Sequence, residues 1–136
     1  MVAISFSVFK EKILSGEKKQ TIRPYSKKRW NSILKNKKLQ LYWKQRTKEC
    51  EFLKEVELEE MFRIRFEIKW LRVSFLGYIT VLKEEEDGSW KEIDSDELDH
   101  LARCDGFENC SEMTEWFFEK YGYGIDTMIF MVIRWR

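Results

Sequence analysis

The segment between Gly16 and Pro24 concentrates side chains that can do chemistry. An arginine such as Arg23 can hold a phosphate or a carboxylate with two parallel hydrogen bonds, or form a structural salt bridge. A desolvated lysine at Lys18 would have a lowered pKa and could transfer a proton or polarise an amide; otherwise it is a solvated phosphate contact or a surface residue. The hydroxyl of Thr21 can attack an acyl carbon when a base lies within hydrogen-bond reach, although most threonines only favour strands.

The spacing of these residues determines which of them can act together on a strand. Alternate residues share a face, so Thr21 and Arg23 point the same way, together with Lys19. Lys18 points the other way unless a bulge or loop at residues 16–18 turns it around. A site that uses both Lys18 and Thr21 therefore needs such an irregularity.

A basic stretch follows and interleaves charged residues with aromatic rings. Lysines and arginines neutralise phosphates and make binding depend on salt, and a ring that stacks on an unpaired base contributes about 1–3 kcal/mol. The candidate ligand-binding residues are Arg23, Lys19, Tyr25, Lys27, Lys28, Arg29, Trp43, Lys44 and Arg46. The alternative is that Trp30 and one of the neighbours Tyr42 and Trp43 belong to the core, since neighbours on a strand face opposite ways.

Charge is distributed unevenly along the chain, although its net value is only +1. Residues 1–50 carry 14 lysines and arginines against 3 glutamates, whereas residues 51–136 carry 11 basic and 21 acidic residues. Such an asymmetry favours a polyanion as the partner of the basic half. The alternative is that the two halves pair their charges when the chain folds back on itself.

The composition gives no reason to expect a metal, a cofactor or a membrane. Three cysteines and one histidine do not form a zinc-site pattern, and reduced thiols are typical of a cytoplasmic protein. The N-terminus has no apolar leader core, and no stretch approaches the roughly 18 apolar residues of a membrane span. Abundant lysine, glutamate and isoleucine with little glutamine hint at a thermophilic source.

Hydrophobic periodicity and turn residues predict the elements that position these side chains. Helices are expected from a Ser5 or Ser7 cap to about Ser15, over residues 26–36 and 96–104, and from an Asn109 or Ser111 cap to Gly122 or Gly124. Strands are expected over residues 2–6, 18–23, 39–43, 71–82 and 127–135, and over residues 55–69, where apolar and charged residues alternate from Phe62 to Ile68. The pair Asp87-Gly88 marks a hairpin turn toward Trp90 and Ile93. This order predicts a single α+β domain over residues 1–136, whose five or six mostly antiparallel strands would curl into a barrel.

Residues 9–23 resemble the signature of the ASCH domain family. The signature has an apolar helix that ends in Ile-x-x-Gly, matched here from Ile13 to Gly16, then a lysine and Thr-x-Arg, matched at Lys18, Thr21 and Arg23. Weaker similarity extends to the strand at residues 39–43, to the run Ala102-Arg103-Cys104-Asp105-Gly106-Phe107, and to Trp116-Phe117 and Tyr121-Gly122. The resemblance covers nearly the whole chain.

The resemblance implies a PUA-like β-barrel with flanking helices and a cleft lined by the Lys/Thr/Arg strand. One branch of the family is similar to bacterial acetylcytidine amidohydrolases, in which a lysine, a threonine and a distant glutamate form the site. These positions correspond to Lys18, Thr21 and, for the acid, Asp105. This chain departs from that branch by carrying aspartate instead of glutamate, and by extra residues around 107–110.

Three function classes follow from these observations. The first is a protein, expected as a monomer, that binds RNA or a nucleotide-like ligand in the cleft and on the basic surface. The second is a hydrolase that acts on a modified nucleoside or on RNA, with Lys18, Thr21 and Asp105 as its catalytic groups. The third is a protein-interaction module whose basic half recognises an acidic partner.

Overall fold

A computed structural model describes residues 2–70 and 77–136 of the chain. They form a mixed seven-stranded sheet with four α-helices and one short 3-10 helix, Gly122–Thr127. The strands are β1 (Val2–Phe6), β2 (Gln20–Pro24), β3 (Lys38–Trp43), β4 (Glu51–Trp70), β5 (Gly77–Glu84), β6 (Trp90–Glu92) and β7 (Phe130–Trp135). The helices are α1 (Lys10–Ser15), α2 (Lys27–Asn36), α3 (Ser95–Cys104) and α4 (Cys110–Tyr121).

The long strand β4 organises the sheet because it pairs with three others. Glu57 pairs with Lys38 of β3 on one edge and exchanges hydrogen bonds with Arg136 on the other edge. Further along, Ile64 lies between β5 and β7. Strands β3 and β5 therefore share one edge of β4 in succession, β7 runs along the opposite edge, and β2 adds to the far side of β7.

The sheet is not closed into a barrel by backbone pairing among the described residues. Its outermost strands are β1, which is parallel to β3, and β2 and β6, which are antiparallel to β7 and β5. All other recorded strand pairs are antiparallel. The predicted α+β class and the mostly antiparallel pairing are confirmed. The gap between the edges of β1 and β2 is called the seam below.

The sheet separates two apolar cores, and β7 contributes to both. Phe130 and Val132 pack into the core formed with α3 and α4, while Met131 and Ile133 pack into the core formed with α1 and α2. A strand that is buried on both faces reads as a continuous apolar run. The prediction of a central final strand is confirmed, although it begins at Phe130 because residues before it form the 3-10 helix.

The alternation predicted in β4 is also confirmed. Ile64 and Phe66 are fully buried, and Phe62 and Ile68 are partly buried against the same core. The strand is longer than expected, because its first residues, from Glu51, pair with β3. Residues 71–76 of the strand predicted over 71–82 lie outside the described residues, and β5 accounts for the rest.

Most helix ends carry the residues that capping rules favour. The side chains of Ser26, Asp94 and Asn109 each accept a backbone N–H in the first turn of α2, α3 and α4. Gly16 ends α1 in the left-handed region, as predicted. Neither Ser5 nor Ser7 caps α1, because that helix begins only at Lys10.

The described helices include none that is both long enough and apolar enough to cross a membrane.

Candidate functional site

A cavity of about 220 Å³ opens at the seam between β1 and β2. Four residues singled out by the sequence line it together: Lys18, Thr21, Arg23 and Asp105. Aromatic side chains form much of the remaining wall, namely Phe6, Phe9, Phe107, Trp116, Phe117 and Tyr121. The structure thus brings charged and polar groups from both ends of the chain into one recess that is walled in part by aromatic rings.

Lys18 and Asp105 form a buried ion pair at the base of this cavity. Their Nζ and Oδ2 atoms lie 3.4 Å apart, and the lysine also donates to the backbone carbonyl of Asp105 at 2.5 Å. The two residues are 3 % and 5 % exposed. Unpaired charges are very costly at such burial, so each group depends on the other and on nearby polar atoms.

A loop between α1 and β2 brings Lys18 to the face of the site. The Lys18 N–H donates to the carbonyl of Lys12, and the Lys19 N–H donates to the carbonyl of Cys104 at the end of α3. Strand β2 begins only at Gln20, so strict alternation does not extend back to Lys18. The irregularity that the site requires is therefore a docked loop, and it joins Lys18 to the end of α3.

Burial shifts the two groups toward their neutral forms. Desolvation lowers the pKa of Lys18, and the positive charges of Arg23 and Lys12 act in the same direction, against the attraction of Asp105. Desolvation also raises the pKa of Asp105, against the opposing effects of Lys18, Gln20 and Arg23. Both shifts reduce the cost of moving a proton to or from a ligand, so the pair can take part in proton transfer.

Arg23 holds Thr21 and bridges the seam. Its Nε donates to Thr21 Oγ1 at 3.0 Å, and its guanidinium also donates to the carbonyl of Ser5 on β1. The guanidinium lies over the ring of Phe6, with 5.1 Å between its central carbon and the ring centre. Within residues 2–70 and 77–136, no carboxylate lies within 4.0 Å of Arg23, so the alternative of a structural salt bridge is not seen there.

A glycine lets two aromatic rings close the wall beside Asp105. Gly106 has a φ of +105°, and a Cβ there would lie 3.1 Å from the ring of Phe9. Phe9 itself has a φ of 64° and packs edge-on against Phe107, with 5.2 Å between ring centres. The Asp-Gly-Phe run therefore places the carboxylate and the aromatic wall in one turn after α3.

Sequence reasoning did not assign a site role to α4, although this helix supplies part of the cavity wall. Trp116 and Tyr121 line the cavity, and the Lys120 ammonium lies 4.9 Å from the ring centre of Trp116. In the sequence these residues belong to the weaker family similarity at Trp116-Phe117 and Tyr121-Gly122, which assigns them no role in the site. The available signal was Lys120, the basic residue next to Tyr121.

Gln20 was also missed, because it was placed on the face away from Thr21. It is fully buried, and its Nε2 donates to the Asp105 carboxylate at 3.3 Å and to the carbonyl of Leu101 at 3.0 Å. Its position in the chain, one residue before Thr21, gives no sign of these contacts.

The expected basic and aromatic ligand-binding residues lie outside the cavity, with the exception of Arg23. Those that do not line it are Lys19, Tyr25, Lys27, Lys28, Arg29, Trp43, Lys44 and Arg46. Tyr25 packs against Trp30, and Trp43 is partly buried against the core with Lys44 above its ring. The other basic residues are largely exposed.

Two of these basic segments are nevertheless fixed to the strand that forms the cavity wall. Arg29 of α2 donates to the carbonyl of Ala3 at 2.6 Å. The Gln45 N–H donates to Ser5 Oγ at 3.0 Å, and the Lys44 N–H donates to the carbonyl of Phe6. The basic surface, defined here as residues 27–29 and 44–46, therefore flanks the cavity on β1.

In the part of the chain that the structure describes, no group of three or more histidine, cysteine, aspartate or glutamate side chains could hold a metal ion. His100 is exposed on α3, as expected, with Nε2 3.5 Å from the sulfur of Cys104. Comparison with known proteins gives no match to a family model, to a curated protein or to a solved structure. The geometry of the cavity is therefore the basis for a functional proposal.

Proposed function

We propose that this protein is a cytoplasmic ASCH-like domain that binds RNA or a nucleotide-like ligand in the cavity between β1 and β2. The convergence of Lys18, Thr21, Arg23 and Asp105 on one aromatic-walled recess carries the proposal. In the corresponding PUA-like barrel, β1 and β2 would be neighbours, and the hydrogen bond from Arg23 to Ser5 spans this seam.

The size and lining of the cavity suit one nucleobase. Its volume of about 220 Å³ is below the roughly 300–1,000 Å³ of pockets for drug-sized ligands. Aromatic rings such as Phe9 and Trp116 can stack on a base, whereas Lys18 and Asp105 offer a donor and an acceptor to its polar edge. A ring with both donors and acceptors therefore fits better than a purely apolar ligand.

The charge of the site favours an anionic ligand. Lys18 is paired with Asp105, but Arg23 inside the cavity has no carboxylate partner in the described part of the chain, and Lys120 adds a further positive charge. The guanidinium of an arginine matches the geometry of a phosphate. A nucleotide, free or within a single-stranded RNA, would supply that group, and the basic surface would receive neighbouring phosphates.

Equilibrium binding of a fluorescent single-stranded RNA pool tests this proposal, with cytidine monophosphate and cytidine as competitors. The monophosphate is expected to compete more strongly than the nucleoside, and affinity should fall steeply as salt is raised. Reversing Lys27, Lys28 and Arg29 to glutamate should weaken RNA binding, whereas Lys91→Glu on β6 is the matched control. Equal affinity of the wild type, the charge-reversal variant and Lys91→Glu would refute a role of the basic surface in RNA binding. Unchanged binding in Arg23→Met would refute binding in the cavity.

The buried pair beside a threonine hydroxyl favours a second candidate, hydrolysis of an acylated base. Thr21 Oγ1 accepts a hydrogen bond from Arg23, so its own proton remains available to a base. In this reaction Thr21 Oγ adds to the acyl carbon, neutral Lys18 takes the hydroxyl proton, and that proton passes to the departing amine. One water then cleaves the threonyl ester, which restores Thr21 and releases the carboxylic acid.

Incubation with acetylcytidine followed by mass spectrometry separates the two candidates. Hydrolysis predicts one acetate and one cytidine for each substrate consumed, with turnover lost in Lys18→Ala and Thr21→Ala while both variants stay folded. Thr114→Ala on α4 serves as the matched control. Full activity in both site variants would exclude these catalytic groups, and intact substrate that still binds would leave the binding function alone.

A further inference from the structure

Three side chains form a row across three adjacent strands and lead to the buried pair. Gln20 of β2 lies directly opposite Arg134 of β7, and Arg134 lies directly opposite Glu60 of β4. Side chains that are directly opposite on neighbouring strands are close enough to interact. The row therefore runs from a half-exposed glutamate toward the interior of the protein.

Hydrogen bonds connect this row without interruption. Arg134 donates through Nη1 to Glu60 Oε2 at 3.1 Å, and through Nε and Nη2 to Gln20 Oε1 at 3.1 and 2.7 Å. The other end of the Gln20 amide donates to Asp105 Oδ1 at 3.3 Å. Arg134 is thus linked to Asp105 through a single amide.

The chemistry of the arginine, amide and carboxylate groups fixes the donor-to-acceptor direction of these hydrogen bonds. An arginine only donates hydrogen bonds, an amide has one accepting and one donating end, and an ionised carboxylate only accepts. Because Arg134 occupies the oxygen of Gln20, the NH₂ group must face Asp105. Lys18 also donates to Asp105 from the cavity side, so neither partner offers an acceptor to a carboxylic acid proton.

We propose that Gln20 and Arg134 are positioning residues that keep the Asp105 carboxylate as an ionised hydrogen-bond acceptor, turned toward Lys18. The charged groups around Asp105 are Lys18 and Arg23, which favour its ionised form, and Lys12 lies near Lys18. Burial acts in the opposite direction. The proposal concerns the same carboxyl as the proposed function, but it is tested without ligand, so each can fail separately.

The ionisation of Asp105 can be followed by its side-chain ¹³C carboxyl signal as pH is changed. In Arg134→Met the Gln20 oxygen loses its donor and only the bond to the carbonyl of Leu101 still orients the amide, so its oxygen can turn toward Asp105 and the titration midpoint should rise by roughly one pH unit. Arg63→Met is the matched control, because Arg63 pairs with Glu84 on the same sheet. An unchanged midpoint in Arg134→Met would overturn the proposal.

If Arg134→Met does not fold, the proposal can be tested by exchanging the amide and carboxyl groups between positions 20 and 105. Gln20→Glu places a second carboxylate beside Asp105, and Asp105→Asn removes the negative charge that accepts from both Gln20 and Lys18, so each variant should lower the melting temperature. In the double variant, the introduced glutamate would accept from Arg134 and from the introduced asparagine amide, which restores the donor–acceptor order except for the bond to the carbonyl of Leu101. The double variant should regain at least half of the summed loss, whereas simple addition of the two losses would contradict the proposal.

Discussion

Two lysine–carboxylate pairs of this protein differ in their environment: one is buried and the other lies on the surface. Lys18 and Asp105 are 3.4 Å apart at the base of the cavity, with side chains 4 % and 8 % exposed. Lys69 and Glu92 are 3.1 Å apart on the surface of β4 and β6, with side chains 35 % and 47 % exposed. The contact distances are similar, so burial is the main difference between the pairs.

The pKa values of the two lysines move in opposite directions. The hydrogen bond to Glu92 raises the pKa of Lys69, because little desolvation opposes it. Desolvation lowers the pKa of Lys18 even though Asp105 attracts its charge. The presence of a partner therefore does not decide the ionisation of a lysine in this fold, and only the buried pair is suited to proton transfer.

Removing one member of each pair should show the largest difference between them. Asp105→Leu leaves the Lys18 ammonium buried without its carboxylate, and should lower the free energy of unfolding by about 3–5 kcal/mol. Glu92→Leu leaves Lys69 in water, and its unfolding midpoint should stay close to that of the wild type. Urea denaturation at neutral pH measures both. Equal losses in the two variants would show that burial is not the relevant difference.

Replacing both members of the buried pair separates stability from binding. In the Lys18→Met/Asp105→Leu double variant no unpaired charge remains, so most of the stability lost in Asp105→Leu should return. Binding of the RNA pool should nevertheless be weakened, because the polar contacts at the base of the cavity are gone. Denaturation and binding measured on the same preparation check this. Recovery of both properties would mean that the pair has no role in ligand binding.

The pH dependence of stability should have opposite signs for the two lysines. Between the lowered folded pKa of Lys18 and its unfolded value of 10.5, only the unfolded chain holds the proton, so stability rises with pH. Between 10.5 and the raised folded pKa of Lys69, only the folded chain holds it, so stability falls. Unfolding free energies of the wild type, Lys18→Met and Lys69→Met over about pH 8–11 isolate each contribution. Slopes of the same sign would contradict the assignment.

Salt should produce the smallest effect and should act on one pair only. At 1 M salt the screening length is about 3 Å, so the attraction within an exposed pair is largely screened. Double-mutant cycles at low and high salt should show that the coupling between Lys69 and Glu92 disappears, while the coupling between Lys18 and Asp105 persists. A loss of coupling in the buried pair would indicate that solvent reaches it.

Local signals in the sequence predicted most of the elements. These signals depend on residues within a few positions of each other, as in the alternation in β4, the helix caps at Asp94 and Asn109 and the helix end at Gly16. The site prediction used a local motif as well, and its members Lys18, Thr21 and Arg23 line one cavity. Their chemical roles remain predictions.

The rest of the site depends on contacts that are distant in the chain. Gln20 meets Asp105 across 85 positions and Arg134 across 114 positions, and no periodicity in either segment reports such contacts. Strict alternation left the face of Lys18 open, because it could not include the docking of the preceding loop onto the end of α3. The basic residues were expected to flank the cleft because of their charge, and the contacts that hold residues 27–29 and 44–46 beside it on β1 are likewise distant in the chain.

The pairing of β2 with β7 also determines when the site can first exist during protein synthesis. At about 5–20 residues per second, a ribosome needs roughly 5–20 s to add the residues that separate these two strands. Until then Gln20 lacks Arg134, and β2 lacks β7, the strand with which it pairs. A nascent chain that already contains every residue lining the cavity would still be unable to hold a ligand there.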